Sequence, residues 1–193
     1  MRVSFGDASL PSVDALAGVE SACLFVFQDE RPLRGLAGYL DWRLCGGLSR
    51  ILLEGRFTGV EGDALLFPTW GCVPPGRIFC FGAGRKDKLD RDAFAAIARR
   101  ACESLSKAGV QGFVAQLPAV KGAEDVERAR VFLTEGATRF KGERIVLLGD
   151  GKVLARSFGE VAGSMKGIEI DRDPVAGVMR VASAPAPKTA RAN

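Results

Sequence analysis

Short apolar segments without internal polar residues recur along the chain. They are Cys23–Phe27, Ala64–Phe67, Ile78–Phe81, Phe113–Ala115 and Ile145–Leu148. Segments of this kind, which show no alternation of apolar and polar positions, are typical of strands buried on both faces, within a sheet covered by helices on each side. The pattern therefore predicts that these segments form strands in the middle of one central sheet.

Three further segments carry apolar residues at helical spacing. The clearest is Arg91–Ala108, where Asp90 precedes the first helical residue and is suited to cap it. The others are Leu36–Leu53, which contains the pair Gly46-Gly47, and Glu124–Phe140. Adjacent glycines inside a helix suggest that another backbone approaches closely. Strands and helices therefore alternate, which predicts an α/β fold: a three-layer α/β/α sandwich.

The pattern changes after Leu148. Asp150-Gly151, followed by the apolar Val153–Ala155, is a two-residue hairpin signal and predicts an antiparallel edge strand. The sheet is then mixed, although mostly parallel. Weak alternation in Ile168–Asp171 and Val178–Val181 leaves open a second small hairpin.

Length and composition fit one globular domain. Of the 193 residues, 47% are hydrophobic and 26% charged, and the formal net charge is +4, a mild excess compared with dedicated nucleic-acid binders. We predict one domain over residues 1–173 and an exposed, Ala/Pro-rich tail over residues 174–193. The N-terminus lacks a signal-peptide pattern, and no apolar run approaches the roughly 20 residues that cross a bilayer, so we expect a cytoplasmic protein without a membrane partner.

Several kinds of catalytic chemistry lack their usual residues. Histidine, the commonest general base and metal ligand, is absent, and the only asparagine is Asn193 in the predicted tail. The cysteines are odd in number and scattered, which indicates reduced core residues; only Cys72, close to Arg77, falls in a predicted loop. The sequence therefore predicts no enzymatic activity, no metal site and no cofactor.

Five short motifs follow one another in the first half of the chain. They are Gly46-Gly47-Leu48-Ser49-Arg50, Gly55-Arg56-Phe57-Thr58-Gly59, Gly62–Leu66, Pro75-Gly76-Arg77-Ile78 and Gly82–Asp90. In this order and spacing they resemble the N-terminal domain of the leucine aminopeptidase family. The resemblance implies a macro-domain-like fold and a regulatory domain that helps to assemble oligomers. The family's two-metal catalytic motifs have no counterpart in this sequence, so no catalytic or metal-binding residue is carried over.

The resemblance favours a non-catalytic binding or assembly module whose partner is another protein or a second copy of the chain. One alternative follows from the macro-domain likeness, which implies binding of a nucleotide or an ADP-ribose-type ligand. Its candidate residues are Gly82, Gly84, Arg85 and Lys86, since a glycine-rich loop between a strand and a helix can hold a phosphate on its backbone N–H groups.

The other alternative is nucleic-acid binding, because some members of the family also bind DNA. Its candidate contacts are Arg43, Arg50, Arg56 and Lys88. The competing interpretation is that these residues only solubilise the polar face of a helix, since acidic residues stand among them.

Overall fold

The computed structural model of the chain describes residues 1–16, 18–163 and 167–170. Its strands are β1 Arg2–Asp7, β2 Ser21–Val26, β3 Ala64–Pro68, β4 Arg77–Gly82, β5 Gly112–Ala115, β6 Arg144–Gly149 and β7 Glu169–Ile170. They form one sheet in the order β3-β4-β2-β5-β6-β1-β7. β3 and β4 are antiparallel and the other neighbouring pairs are parallel, so the predicted mixed, mostly parallel sheet is confirmed.

Helices cover both faces of the sheet. They are α1 Leu10–Asp14, α2 Gly35–Arg43, α3 Gly47–Leu53, α4 Arg91–Lys107, α5 Asp125–Val131 and α6 Gly151–Ala162. Successive strand residues enter different cores: Cys23 and Phe113 pack with α4, α5 and α6, whereas Leu24 and Val114 pack with α1, α2 and α3. The three-layer α/β/α sandwich is confirmed, and most apolar segments are buried on both faces as predicted.

One of the predicted interior strands is an edge strand. β3 pairs only with β4 among the described residues, and the side chain of Leu66 is 55% exposed. The prediction that Ala64–Phe67 lies in the middle of the sheet is therefore wrong. An apolar run does not reveal whether its strand will be paired on one side or on both sides, because a pairing strand can come from a distant part of the sequence.

The predicted hairpin at Asp150-Gly151 is also wrong, since α6 begins there. The Asp150 carboxylate accepts the N–H groups of Lys152 and Val153 at 3.1 and 3.0 Å, which caps the helix. The short Ile168–Asp171 segment contributes β7, which pairs in parallel with β1. Asp171 and the other predicted hairpin strand, Val178–Val181, lie outside the described residues, as does the tail.

The helix predicted over Leu36–Leu53 is interrupted. Cys45 and Gly46 have positive φ angles of 51° and 77°, which end α2 and allow α3 to start in a new direction. The carboxylate of Asp41 then accepts the N–H of Leu48 at 2.9 Å and replaces a helical partner. A Cβ at Gly46 would meet no atom within 4 Å, so its left-handed conformation, and not a close backbone approach, accounts for the glycine.

The segment predicted as a helix over Glu124–Phe140 is helical but irregular. α5 continues into a wide π-helical turn, Phe132–Gly136, and a 3-10 turn, Ala137–Arg139. A Cβ at Gly136 would lie 3.3 Å from the Cβ of Ala98, so this turn packs tightly against α4. In the part of the chain that the structure describes, no helix combines the length and apolar character needed to cross a membrane.

Candidate functional site

The carboxyl ends of β2 and β5 and the start of α2 enclose a cleft of about 230 Å³. The side-chain oxygen of Gln116, just after β5, accepts the N–H of Leu36 at 2.7 Å. A Cβ at Gly35 would overlap that oxygen, so the glycine is needed for this contact. The Gln116 amide therefore satisfies a backbone donor in the first turn of α2, where such donors lack a partner within the helix.

Charged side chains surround this cleft. Its lining includes Arg34, Lys86 and Glu30, and the ammonium of Lys86 donates to the Glu30 carboxylate at 2.7 Å. The same ammonium lies 5.9 Å from the centre of the Phe27 ring. Ligand sites commonly measure about 300–1,000 Å³, so the cleft is small; the basic groups in its lining are Arg34 and Lys86, which is paired with Glu30.

The Gly82–Gly84 loop, predicted to bind phosphate, is packed against the segment before β3. Gly82, Ala83 and Gly84 donate their N–H groups to the carbonyl oxygens of Asp63, Val26 and Gly59, each at 2.9 Å. A Cβ at Gly82 would overlap the carbonyl oxygen of Val60. These donors are thus engaged within the protein, and tight packing accounts for the glycine at position 82.

The charged neighbours of this loop are also engaged. The Lys86 N–H donates to the Asp29 carboxylate at 3.0 Å, and Arg85 donates to Asp87, also at 3.0 Å. Asp87 holds the pKa of Arg85 above its usual value through this hydrogen bond and its charge. Gly82, Gly84 and Arg85 line a cavity of about 170 Å³ beside α4, whereas Lys86 lines the cleft at the carboxyl ends of β2 and β5. The structure thus divides the predicted residues between two cavities.

The residues proposed for nucleic-acid contact are not brought onto one face. Arg43 pairs with Asp14, with its Nε 2.9 Å from the carboxylate, and Arg56 lies 3.7 Å from Glu54. Arg50 is exposed on α3, while Lys88 lines the cavity beside α4, which covers the other face of the sheet. Nucleic-acid binding stays a prediction.

The cysteines fall into two groups. Burial raises the pKa of Cys80 and of Cys102 to about 12, which keeps both thiols protonated near neutral pH. Cys72 lies in a loop, as predicted, and is exposed; Cys45, which the sequence analysis assigned to the core, is exposed too. Arg77, which is close to Cys72 in the sequence, donates its guanidinium N–H to the carboxylate of Glu20 at 3.3 Å. Among the described residues, no group of three His, Cys, Asp or Glu side chains is placed to hold a metal ion.

Exposed apolar side chains, which sequence analysis missed, occur along the edge strand. We call the strand edge with these residues the β3 edge surface; they are Val60, Leu66 and Trp70, which are 45%, 55% and 74% exposed. They lie before, within and after β3. The available signal was Pro68, directly after the apolar run, because a proline within a sheet is found mainly on edge strands.

Trp70 is held in an unusual backbone conformation. Its φ angle is 50°, in the left-handed region that bulky residues rarely adopt. The flanking loop is fixed, because the Thr69 hydroxyl donates to the carbonyl of Pro75 at 2.7 Å and the Thr69 N–H donates to Gly76 at 3.1 Å. The indole packs edge-on against Phe67, with ring centres 5.2 Å apart. The loop therefore presents an aromatic side chain to solvent.

Comparison with known proteins assigns the family. The model of the cytosol aminopeptidase family, N-terminal domain, matches residues 23–142. The chain belongs to the cytosol aminopeptidase family. This cytosol aminopeptidase N-terminal domain is 28% identical over 112 residues to a probable cytosol aminopeptidase of Persephonella marina, a match that covers 56% of this chain and 22% of the relative. The chain thus spans about a fifth of that relative's length, and the predicted resemblance is confirmed.

Solved structures share the fold of this cytosol aminopeptidase N-terminal domain. A mutant of tomato leucine aminopeptidase matches with a TM-score of 0.55 and 16% identity, over 83% of this chain and 35% of the other. An Oceanobacillus iheyensis macrodomain with ADP matches with a TM-score of 0.62 and 12% identity, over 83% of this chain and 88% of the other. The predicted macro-domain-like fold is confirmed.

Proposed function

We propose that this chain is a non-catalytic binding module that docks a protein, either another polypeptide or a second copy, on the β3 edge surface. The observation that carries the proposal is the exposure of Leu66 and Trp70 beside an edge strand. Large apolar side chains grouped on a surface often mark interaction sites, and tryptophan is enriched among the residues that dominate binding energy. The match to the family's N-terminal domain supports a role other than catalysis.

The backbone of β3 supports the same role. Asp63 accepts a hydrogen bond from Gly82 and Thr69 donates one to Gly76, so the residues at both ends of β3 face β4. Because neighbouring residues of an antiparallel strand alternate in direction, Ala64 and Leu66 point their N–H and C=O groups away from β4. An edge of this kind can accept a further strand, a recurring mode of protein recognition.

Site-specific photo-crosslinking in cells tests this proposal. A photoreactive residue replacing Trp70 is expected to yield a defined crosslinked polypeptide, whereas the same residue replacing Lys152, exposed on α6, is expected to yield none. A crosslinked polypeptide does not by itself show that docking uses the β3 edge surface. The Leu66→Lys substitution is therefore combined with the Trp70 replacement and is expected to reduce the crosslinked product at least tenfold. Equal crosslinking from positions 70 and 152, or a product insensitive to Leu66→Lys, would contradict the proposal.

Leu66→Lys must leave the fold intact for this test to be informative. Surface substitutions usually change the free energy of unfolding by less than about 0.5 kcal/mol, and Leu66 is 55% exposed. Thermal unfolding of the variant is therefore expected to match that of the unsubstituted chain.

A second candidate function is binding of ADP or a related nucleotide in the cleft between β2, β5 and α2. It is supported by the ADP named with the Oceanobacillus iheyensis macrodomain and by Arg34 and Lys86 at the cleft. ADP at about 100 times its Kd would stabilise the fold by about 2.7 kcal/mol, measurable as a rise in Tm. The Arg34→Ala/Lys86→Ala variant is expected to lose this rise, and Lys152→Ala to keep it. An unchanged Tm across millimolar ADP would remove this candidate.

A further inference from the structure

We propose that the cavity beside α4 binds a small carboxylate that carries a short apolar chain, with Arg100 as its main contact. We call this site the α4 cavity; it measures about 170 Å³ and lies between the loop after β4 and the first three turns of α4. None of its lining residues belongs to the β3 edge surface or to the cleft at the carboxyl ends of β2 and β5. The inference therefore goes beyond the proposed function.

Arg100 supplies a guanidinium group without an acidic partner. Among the described residues, no carboxylate oxygen lies within 4 Å of it. One terminal nitrogen donates to the carbonyl oxygens of Asp63 and Gly82 at 3.5 and 3.4 Å, which are long hydrogen bonds. The Nε is buried and donates to no acceptor in the described part of the chain. Removing a charged group from water costs free energy unless a partner compensates it, and an anion in the α4 cavity would be such a partner.

The charges around the α4 cavity favour an anion. Arg85, Lys88 and Arg100 line it together with one carboxylate, that of Glu61. Arg85 is paired with Asp87, whereas Lys88, like Arg100, has no carboxylate oxygen within 4 Å in the described ranges. Two cationic groups are thus available, and a planar guanidinium can bind both oxygens of one carboxylate.

The walls of the α4 cavity are apolar, which favours a carboxylate with a hydrocarbon chain over inorganic phosphate. They include the buried Leu89 and Ile97, and Ala93 and Ala96 on α4. Such walls leave the remaining oxygens of a phosphate without partners, and the backbone donors of the Gly82–Gly84 loop are engaged within the protein. The cavity is also smaller than the roughly 300–1,000 Å³ of common ligand sites, so it suits a short acyl chain and not a nucleotide.

Titration of the full chain with sodium butyrate, followed by the amide signals in proton–nitrogen NMR spectra, tests this proposal. Saturable shifts are expected for the amides of the lining residues Gly84, Lys88, Ala93 and Ala96. At constant ionic strength, butyrate is expected to bind about fifteenfold more tightly than acetate, because it buries two further methylene groups at about fourfold each.

Substitutions on α4 locate the carboxylate contact. Arg100→Gln is expected to weaken butyrate binding at least tenfold, because the carboxylate loses a charged hydrogen-bond partner. Arg99→Gln is the matched control and is expected to leave the affinity unchanged. It removes the same charge from the neighbouring position, but Arg99 donates to Glu135 and does not line the α4 cavity.

Lys88→Gln keeps the test informative if Arg100→Gln fails to fold. Lys88 is exposed, and surface substitutions usually have little effect on stability. This variant is expected to weaken butyrate binding several-fold, because it removes the second unpaired cation of the lining. Thermal unfolding of each variant shows whether the fold is kept.

Several results would overturn the proposed site. They are the absence of saturable shifts at tens of millimolar butyrate, equal affinities for butyrate and acetate, and equal effects of Arg100→Gln and Arg99→Gln. Tighter binding of inorganic phosphate than of butyrate would overturn the assignment to a carboxylate. If butyrate binds as expected while Trp70 yields no crosslinked product, the α4 cavity stands as a site and the proposed function falls.

Discussion

Gly82→Ala is expected to lower the free energy of unfolding by about 3 kcal/mol, the upper part of the usual range for inserting atoms into a packed site. The new Cβ would overlap the carbonyl oxygen of Val60 and lie 2.8 Å from its carbonyl carbon. Both are backbone atoms, which cannot rotate away as a side chain can. The Gly82 N–H also donates to Asp63 at 2.9 Å, so separating the two segments would weaken that bond.

Urea denaturation of purified protein measures this effect. Gly163→Ala is the matched control, because a Cβ at Gly163 would meet no atom within 4 Å; its effect is expected to stay within about 0.5 kcal/mol. Equal stability of Gly82→Ala and Gly163→Ala would show that the Gly82 segment is not packed as described.

Phe158→Ala is expected to cost about 3–5 kcal/mol, as large-to-small substitutions of buried aromatic residues do. Phe158 is fully buried on α6, with its ring centre 5.2 Å from that of Phe5 in β1 and 6.3 Å from that of Phe132. The substitution leaves a cavity where α6, β1 and the π-helical turn after α5 meet.

The same denaturation experiment provides a control on the surface. Trp42 is 73% exposed on α2, so Trp42→Ala removes an even larger aromatic side chain with little loss of packing. Its effect is expected to be several-fold smaller than that of Phe158→Ala. Similar losses from both substitutions would contradict the assignment of Phe158 to the core.

The family match and the β3 edge surface support different statements about this chain. The family match identifies the domain, and the exposed residues support the proposed binding role. The family model covers residues 23–142, which include most of β2, all of β3 to β5 and therefore the entire β3 edge surface. The chain covers 22% of the Persephonella marina relative. The binding role proposed here rests on the exposed residues of this chain.

Elements with strong local signals were predicted well. The helix predicted over Arg91–Ala108 is α4, and the Asp90 carboxylate accepts the N–H of Ala93 at 2.9 Å as the predicted cap. The errors arose where one local sequence pattern is compatible with two different structures. Asp150-Gly151 suits a hairpin turn, but Asp150 also caps a helix, and the buried Leu154, Phe158 and Val161 show the spacing that favoured the helix.

β1 escaped prediction because its sequence, Arg-Val-Ser-Phe-Gly-Asp, lacks a continuous apolar run. It is nonetheless buried between β6 and β7, through pairings with residues more than a hundred positions away. The carboxyl-end cleft was missed for a similar reason, since the contact between Leu36 and Gln116 joins residues that are 80 positions apart.

The sequence by itself determined the α/β class, the family resemblance and the buried strands β2, β4, β5 and β6, because spacing and short motifs are local properties of the chain. Tertiary structure alone decided that β3 lies at the edge and that the Gly82–Gly84 donors are engaged. It also decided that Leu66 and Trp70 face solvent. Exposure and hydrogen-bond partners depend on which distant segments pack together, and no single segment determines the order of the strands.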